Sequence, residues 1–488
     1  MTIKELKPAI VWNNFYQLTQ IPRPSKHEEK VQAFLLKWGK EHGVKTEKDA
    51  TGNIIMRIPA TPGYENRRGV ILQGHMDMVP QKIASSSHDF LKDPIETIVD
   101  GEWLKANGTT LGADNGLGVA LAMSVAESKD LKHGPVEVLV TYDEETGMTG
   151  ASALKAGVLK GDILLNLDSE DEEELCIGCA GGLDVIADFK FTRDALPDSG
   201  YQCYKIVVKG LAGGHSGMDI SLGRANANKI VANALLPVMA KYGVRVNDFE
   251  GGSLRNAIPF EAEAVLAVPE ENVLAVLRSV KKYFAEVKAC YKESDPGMSC
   301  RILKQRSVPA NVINDEVMFN AVRAIVACPS GVIRMSRSMP GLTETSMNLA
   351  IVRCRHGHLK VASLLRSAID ASKAELARRV RCIFQMAGAK VTFTGAYSGW
   401  VPKPDNPMIK LLNDIHTERF GKPMNVMATH GGLECAIMGA KYPHWEMISI
   451  GPTIRYPHSP DERTFIPSVQ RTWDFLQAIL EAVPEKKK

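Results

Sequence analysis

Histidines and carboxylates follow several apolar segments of the chain, at the points where these segments end. They are His75 and Asp77 after "VILQG", Glu144 and Glu145 after "VEVLVTYD", Asp168 after "DILLNL", and His458 after "EMISIGPTI". Asp114 lies in the glycine-rich "LGADNGLG", just before an apolar helical pattern. Imidazole nitrogens and carboxylate oxygens are ligands for zinc, and for cobalt or manganese in its place. The residue types therefore predict a metal centre that activates water, with one further carboxylate to accept the proton.

Each of these residues also has a purely structural interpretation when it is taken alone. His75 is compatible with a satisfied core histidine, although Asp77 two residues later favours a ligand that a carboxylate orients. Asp114 is compatible with a helix N-cap. The tandem "EE" is typical of an exposed turn, the "DSEDEEE" run of a solvated loop, and the histidine in "YPHSP" of a turn beside two prolines. The metal hypothesis depends on the order of all these residues together.

The elements that must position these residues alternate between helix and strand. The alternation runs from "VQAFLLKWGKEHGV" through "GVILQGHMDMV" and "PVEVLVTYDEE" to "GDILLNLDSED". It predicts an α/β layer built on a largely parallel sheet. Ligand-binding groups collect at the carboxyl ends of the strands in such sheets, so we expect the residues above to converge on one site.

The chain of 488 residues is too long for one ordinary core, and its pattern changes at about residue 185. Longer strands such as "YQCYKIVVKG" and "EAEAVLAVP" then stand near helices, up to about residue 397. The α/β pattern resumes at "NPMIKLLNDIHTERFG". We therefore expect a discontinuous sheet domain, residues 1–184 and 398–488, with a second domain, residues 185–397, inserted into it.

Composition indicates a cytoplasmic globular protein. The formal net charge of +3, from 59 basic and 56 acidic residues, shows no bias toward nucleic acid or anionic membranes. The N-terminal "MTIKELKPAIVWNNFYQL" is typical of an amphipathic helix rather than a signal peptide. No stretch has the length and apolarity of a bilayer span. The nine scattered cysteines suit a reducing compartment.

The motifs taken together resemble those of a known enzyme family. The series "GHMDMV", "TTLGADNGLGVA", "DEETGMTGA", "NLDSED" and "YPHSPDE" is similar to that of the dinuclear zinc exopeptidases, which include aminoacylase, carnosinase and glutamate carboxypeptidase. The motifs "GLAGGHSGMDI", "GGSLRNAIP" and "ATHGGLECAI" extend the resemblance over essentially the whole chain. It implies an α/β fold: a discontinuous zinc-exopeptidase sheet domain with helices on both faces, plus an inserted α+β lid domain.

The resemblance also implies two divalent metal ions per chain, Zn²⁺ or its substitutes Co²⁺ and Mn²⁺. Position by position, it makes Asp114 the bridging ligand, His75 and Asp168 the ligands of one site, Glu145 and His458 the ligands of the other, Asp77 the group that orients His75, and Glu144 the general base. The family holds the bridging aspartate before a cis peptide, so we expect the Asp114–Asn115 bond to be cis. Water activated by metal would give its proton to Glu144 and attack the peptide carbonyl.

Residues of the second half would bind the substrate. By resemblance, His215 would stabilise the oxyanion, from its own chain or from a partner subunit, and Asn256 would contact the substrate. The backbone amides of Gly431 and Gly432 are candidates for the substrate carboxylate. Many relatives end the strand after the asparagine motif with an arginine, which "EAEAVLAVP" lacks. We therefore prefer Arg366 as the carboxylate receptor, with Arg337 second; an exposed helix arginine is the alternative.

The implied function is hydrolysis of dipeptides that have a free amino terminus, including Xaa-His and β-alanyl-histidine. Such an enzyme would close its two domains over a small substrate, within one chain or in a homodimer formed through the inserted domain. Two alternatives stay open at this point. One is an N-acyl-amino-acid amidohydrolase with the same metal centre, and the other is a non-catalytic binding protein, which the intact Glu144 disfavours.

Overall fold

The structure, a computed structural model, describes residues 2–486. The chain forms two compact units. The first, called the sheet unit, comprises the chain up to Gly178, Pro402–Ala428 and the chain from Leu433 onward. The second, called the inserted unit, comprises Cys179–Val401 and Thr429–Gly432. Residues 429–432 belong to the inserted unit although they lie between two segments of the sheet unit. No feature of the sequence pattern predicts this.

The elements alternate along most of the chain. The strands are β1 (Lys45–Lys48), β2 (Ile54–Ile58), β3 (Val70–His75), β4 (Thr97–Asp100), β5 (Trp103–Ala106), β6 (Val136–Thr141), β7 (Ile163–Asn166), β8 (Glu174–Cys179), β9 (Gly181–Lys190), β10 (Arg193–Ala195), β11 (Tyr201–Lys209), β12 (Arg245–Gly251), β13 (Ala262–Pro269), β14 (Ser299–Lys304), β15 (Asn311–Ile313), β16 (Gly331–Met335), β17 (Thr343–Arg355), β18 (His358–Ser367), β19 (Lys390–Tyr397), β20 (Asn425–Thr429), β21 (Glu446–Ser449), β22 (Ile454–Arg455) and β23 (Arg463–Phe465). The helices are α1 (Ala9–Thr19), α2 (Glu29–Glu41), α3 (Ala113–Glu127), α4 (Glu144–Gly147), α5 (Thr149–Ala153), α6 (Ala227–Tyr242), α7 (Val273–Cys290), α8 (Asp315–Ala327), α9 (Asp370–Met386), α10 (Pro407–Phe420), α11 (Glu434–Lys441) and α12 (Ile466–Ala482).

The main sheet of the sheet unit has eight strands in the order β1-β2-β6-β3-β7-β21-β8-β20. Its centre is parallel, because β3 pairs in parallel with β6 and β7, and β7 with β21. Strands β1 and β2 form an antiparallel edge. Every residue of β3, β6 and β7 is buried, as expected for parallel strands covered on both faces. The predicted α/β class is confirmed, with antiparallel pairs added at the margins.

The N-terminal helix begins later than the sequence pattern indicates. Residues 3–5 form a short 3-10 helix, and α1 starts only at Ala9, with Pro8 as its N-cap. A proline lacks the N–H that a continuous helix requires and disfavours helical geometry in the residue before it. The prediction of one uninterrupted helix was therefore wrong.

The inserted unit is built on a nine-stranded sheet. Eight strands follow the order β14-β11-β13-β12-β17-β18-β9-β19, and β16 pairs with β17. Neighbouring strands are antiparallel, including β17 with β18, β18 with β9, and β9 with β19. The core of the unit buries residues of these strands together with apolar residues of α6, α7, α8 and α9. Within residues 2–486 no helix is both long and apolar enough to cross a membrane.

Candidate functional site

Three adjacent strands of the sheet unit end beside one another and deliver polar residues to the same edge. Strand β3 ends at His75, with Asp77 two residues beyond it. After β6, Asp143 turns the chain with a φ of 50°, and α4 begins at Glu144. Strand β7 ends at Asn166, shortly before Asp168. The parallel register explains this placement, because β3 lies between β6 and β7.

Asp114 lies between two histidines and presents one carboxylate oxygen to each. Its Oδ1 lies 3.0 Å from His75 Nε2, and its Oδ2 lies 3.1 Å from His458 Nε2. Asp168 Oδ1 is 3.4 Å from His75 Nε2, and Glu145 Oε2 is 3.1 Å from His458 Nε2. The contacts of Asp114 disfavour the N-cap interpretation, because both of its carboxylate oxygens face histidine rings. The Asp114–Asn115 peptide is cis, as expected.

Asp77 connects the histidine of β3 with the two glutamates after β6. Its Oδ1 lies 3.3 Å from His75 Nδ1. The same carboxylate accepts the backbone N–H of Glu144 at 3.0 Å and that of Glu145 at 3.2 Å. One fully buried carboxylate therefore lies against the imidazole ring and holds the turn that carries the tandem glutamates.

The electrostatics of this cluster are those of buried, mutually repelling carboxylates. Burial raises the pKa values of Glu144, Glu145 and Asp168 above their ordinary range, and neighbouring carboxylates raise them further. Hydrogen bonds to Asp114 and Glu145 raise the pKa of His458 to about 11. Burial alone would lower the pKa of His75, but the carboxylates of Asp168 and Asp114 outweigh it and raise the pKa well above 6.5. The negative charge of the carboxylates therefore favours the protonated forms of His75 and His458, as it would favour any cation at this place.

The donor set fits divalent metal ions. Glu145 Oε1 and Asp168 Oδ1 are buried atoms without a hydrogen-bond partner among residues 2–486, which is costly unless another ligand satisfies them. Ligand atoms of His75, Asp114 and Glu145 all lie within 4.8 Å of one another. Two imidazoles and three carboxylates, with one carboxylate shared, suit a pair of zinc-like ions.

Two residues that sequence reasoning missed hold the Asp114 segment. The carboxylate of Glu462 accepts four consecutive backbone N–H groups, those of residues 111–114, at 2.7–3.2 Å. Arg23 is fully buried and donates to the carbonyls of Met76, Asp77 and Gly112 at 2.5–3.1 Å. Glu462 closes the motif "YPHSPDE", so its place in the motif was a usable signal. No such motif marks Arg23.

Two further buried glutamates support the neighbouring strand ends. Glu28 Oε1 accepts the backbone N–H of Asp143 at 3.1 Å. Glu434 accepts hydrogen bonds from Thr141 Oγ1 and Gln73 Nε2, each at 2.6 Å. Burial raises the pKa of Glu28 to about 7 and that of Glu434 to about 8. Glu28 therefore holds the backbone just before Glu144, and Glu434 links side chains of β3 and β6, the strands that lead to His75 and Glu144.

In the inserted unit, the structure brings three predicted residues into one cluster. Arg366 Nη2 lies 3.5 Å from His215 Nε2. The loop of His215 pairs with the loop of Asn256, because Ser216 N donates to Asn256 O at 2.7 Å. Asn348 Nδ2 donates to the carbonyls on either side of Asn256, those of residues 255 and 257, at 3.0 and 2.7 Å. His215 and Asn256 are thus held together by backbone pairing.

The structure excludes the exposed-helix alternative for Arg366 and distinguishes the two candidate glycine amides. Arg366 lies in β18 rather than in a helix and is only 5% exposed, so the exposed-helix interpretation was wrong. The helix begins only at Asp370, because strand pairing with β9 and β17 extends to Ser367. Arg337 is exposed after β16. Gly431 N donates to Thr429 Oγ1 at 3.0 Å, so this amide is already occupied and Gly432 is the better amide candidate.

Comparison with known proteins identifies the family of this chain. Residues 71–482 match the family model of peptidase family M20/M25/M40. The chain is also 41% identical, over 99% of its length and 99% of the relative's, to the cytosol non-specific dipeptidase of Escherichia coli strain K12. The chain therefore belongs to peptidase family M20/M25/M40, and the resemblance drawn from the motifs is confirmed.

Solved structures agree with this class. The aminoacylhistidine dipeptidase of Vibrio alginolyticus superposes with a TM-score of 0.92 at 44% identity, covering 100% of this chain and 99% of that one. The aminopeptidase PepT of Bacillus cereus matches with a TM-score of 0.59 at 17% identity, covering 98% and 99% of the two chains. The second likeness concerns the fold alone.

Proposed function

We infer that this protein is a metal-dependent dipeptidase. The observation that carries the inference is Asp114, whose two oxygens face two separate histidine and carboxylate sets at 3.0 and 3.1 Å. Family membership supplies the peptidase class, and the full-length relative in Escherichia coli is a dipeptidase by name. The 41% identity with that relative covers 99% of both chains, which supports the same substrate class.

We propose that two divalent ions bind here, with zinc as the physiological ion and cobalt or manganese as substitutes. Asp114 would bridge them, with His75 and Asp168 on one side and Glu145 and His458 on the other. When bound, the ions would polarise the substrate carbonyl and lower the pKa of the attacking water. The negative field of the buried carboxylates and the unsatisfied oxygens of Glu145 and Asp168 support this assignment.

Glu144 is the proposed general base. Its backbone N–H is fixed by Asp77 at 3.0 Å, so its position relative to His75 is set by one carboxylate. Burial, the largest influence, raises the pKa of Glu144, which suits a group that must both accept and release a proton. Glu144 would take the proton of the attacking water and pass it to the leaving amine.

Arg366 is the proposed receptor for the substrate carboxylate. Its guanidinium is buried, yet among residues 2–486 no carboxylate forms an ion pair with it within 4.0 Å. A buried cation is normally paired, so this arrangement favours an incoming anion. His215, 3.5 Å away, is the proposed donor to the oxyanion, and Asn256 and the Gly432 amide are further substrate contacts.

The proposed substrates are dipeptides with free amino and carboxyl termini, including Xaa-His and β-alanyl-histidine. The aminoacylhistidine dipeptidase of Vibrio alginolyticus, 44% identical to this chain, supports the histidine preference. A cytoplasmic location is proposed from the name of the Escherichia coli relative and from the nine cysteines. A homodimer formed through the inserted unit stays a prediction.

The test is a substrate and metal panel on the purified full chain. Chelated protein should lose hydrolysis of Ala-Ala and Ala-His and regain it when zinc, cobalt or manganese is added, with up to two ions bound per chain. Tetrapeptides and N-acetylated dipeptides should be poor substrates. Faster hydrolysis of N-acyl amino acids than of dipeptides would establish the amidohydrolase alternative instead. Full activity in verified metal-free protein would refute the metal assignment.

A further inference from the structure

Arg366 stands in a row of residues that crosses four strands of the inserted unit. Ser346 of β17 is the register partner of Arg366 in β18, Arg366 is the partner of Gly182 in β9, and Gly182 is the partner of Tyr397 in β19. Directly paired residues on neighbouring antiparallel strands project their side chains to the same face of the sheet. The side chains of Ser346, Arg366 and Tyr397 therefore share one face, and the position between the last two has no side chain.

The missing side chain at Gly182 makes room for the ring of Tyr397. A Cβ atom at this position would lie 2.4 Å from Tyr397 Cε1 and 2.9 Å from its hydroxyl oxygen, closer than real contacts allow. The ring thus covers Gly182 and carries its hydroxyl toward the next strand, where it lies 3.5 Å from Arg366 Nη1. Any side chain at position 182 would push the phenol away from the guanidinium.

Ser216, Ser346 and His430, further polar side chains around Arg366, are neutral. Its Nε lies 3.4 Å from Ser216 Oγ. Ser346, its partner in β17, bonds His430 Nε2 at 2.7 Å. Burial, followed by the charge of Arg366, lowers the pKa of His430 to about 4, so this histidine is uncharged near neutral pH. The contacts of Arg366 with Ser216, His215 and Tyr397, at 3.4–3.5 Å, are long for hydrogen bonds to a charged group.

We propose that Tyr397 is a specificity-determining residue, whose hydroxyl accepts an N–H of Arg366 and donates its own O–H to the carboxylate of the substrate. A phenol can do both at once, since it has one donor and acceptor lone pairs. Tyr397 and Arg366 together would then read a free carboxyl terminus, with Gly182 as the positioning residue that sets the phenol. This inference rests on the proposed function of Arg366 as carboxylate receptor.

The test compares each dipeptide with its C-terminal amide, which has no carboxylate to bind. Tyr397→Phe removes one oxygen and keeps the ring, so it should raise KM for Ala-Ala about tenfold, the low end for a hydrogen bond to a charged group. It should leave kcat near normal and leave kcat/KM for Ala-Ala amide unchanged. Gly182→Ala should weaken the discrimination at least as much, since it displaces the whole phenol.

Double variants separate the inference from the proposed function. If Tyr397 acts with Arg366 on one carboxylate, Tyr397→Phe should add little in an Arg366→Lys background. Tyr204→Phe is the matched control, a tyrosine in β11 whose hydroxyl bonds Gln202 at 3.2 Å; it should change nothing. If Tyr397→Phe lowered kcat/KM equally for the acid and the amide, or for neither, the inference about Tyr397 would be overturned. In that case a loss for the acid alone in Arg366→Lys would still support Arg366 as the carboxylate receptor. If Arg366→Lys affected acid and amide alike, the carboxylate receptor itself would be overturned.

Discussion

The carboxylate cluster of the sheet unit and the arginine cluster of the inserted unit differ in the length of the hydrogen bonds that hold them. Glu462 fixes the Asp114 segment with four backbone hydrogen bonds of 2.7–3.2 Å, and Asp77 fixes the tandem glutamates at 3.0 and 3.2 Å. Arg366 has three polar neighbours at 3.4–3.5 Å. Short hydrogen bonds to the backbone hold the carboxylate cluster in place. The longer contacts of Arg366 leave its N–H groups able to bond a substrate anion.

The two clusters also have opposite electrostatic character. Burial and mutual repulsion raise the pKa values of Glu144, Glu145 and Asp168 in the sheet unit. In the inserted unit burial, followed by the charge of Arg366, lowers the pKa of His430. One cluster therefore attracts cations and the other anions. Variants of the first should alter chemistry or metal content, and variants of the second should alter how the substrate is bound or its transition state stabilised.

The largest effect should come from replacing the proposed general base, Glu144, or the proposed bridging ligand, Asp114. Glu144→Gln removes the proposed proton acceptor and should lower kcat by about 10²–10⁴, with metal content near normal. Asp114→Asn should lower the metal content at both positions, because it withdraws a shared charged ligand. Turnover assays paired with elemental analysis measure both quantities. The exposed Glu41→Gln serves as control, and unchanged turnover of Glu144→Gln would reject the base.

The next largest effect should come from His215 in the inserted unit. His215→Ala should lower kcat by about 10²–10³, because it removes a donor to the developing oxyanion. Metal content should not change, which distinguishes this variant from Asp114→Asn. Steady-state kinetics and elemental analysis on one preparation provide the comparison. Loss of metal in parallel with activity would contradict the division of labour between the clusters.

A smaller effect is expected from the support of the bridging ligand. Glu462→Gln keeps the size of the side chain but halves its acceptor capacity for the four N–H groups of residues 111–114. We expect metal affinity to fall by about 10–100-fold, as for other groups that orient ligands, with activity recovered at high zinc. Zinc titration against a competing chelator measures the affinity. An unaltered affinity would show that Asp114 does not depend on this support.

The smallest effect should come from Asn348, which bonds the carbonyls on either side of Asn256. Asn348→Ala leaves both carbonyls without this partner and should lower the free energy of unfolding by about 1–3 kcal/mol. KM should rise while metal content stays constant, because the loop of Asn256 loses its anchor. Thermal denaturation and kinetics test the two parts separately. A fall in metal content would show that the substitution acts on the carboxylate cluster of the sheet unit, which would contradict this prediction.

Much of the sheet unit could be predicted because its signals are local. Runs such as "VILQG" and "DILLNL" are short and apolar, and the polar residues that follow them mark strand ends. The inserted unit was harder to predict. The segment "ASLLRSAIDASK" contains both the end of a strand and the start of a helix, so the local sequence left an exposed helix arginine as an alternative for Arg366. Local sequence does not reveal that β9 and β17 flank this strand and bury its arginine.

By itself, the sequence determined which residue types stand where apolar segments end, because hydrophobic periodicity and motif spacing are properties of the chain. The tertiary structure decided which of those residues meet and at what distance. Glu462 reaches Asp114 across 348 positions of the chain, and nothing local encodes that approach. The row of Arg366, Gly182 and Tyr397 likewise exists only through strand register, because pairing sets which residues stand opposite one another and a one-residue slip would turn each side chain to the other face.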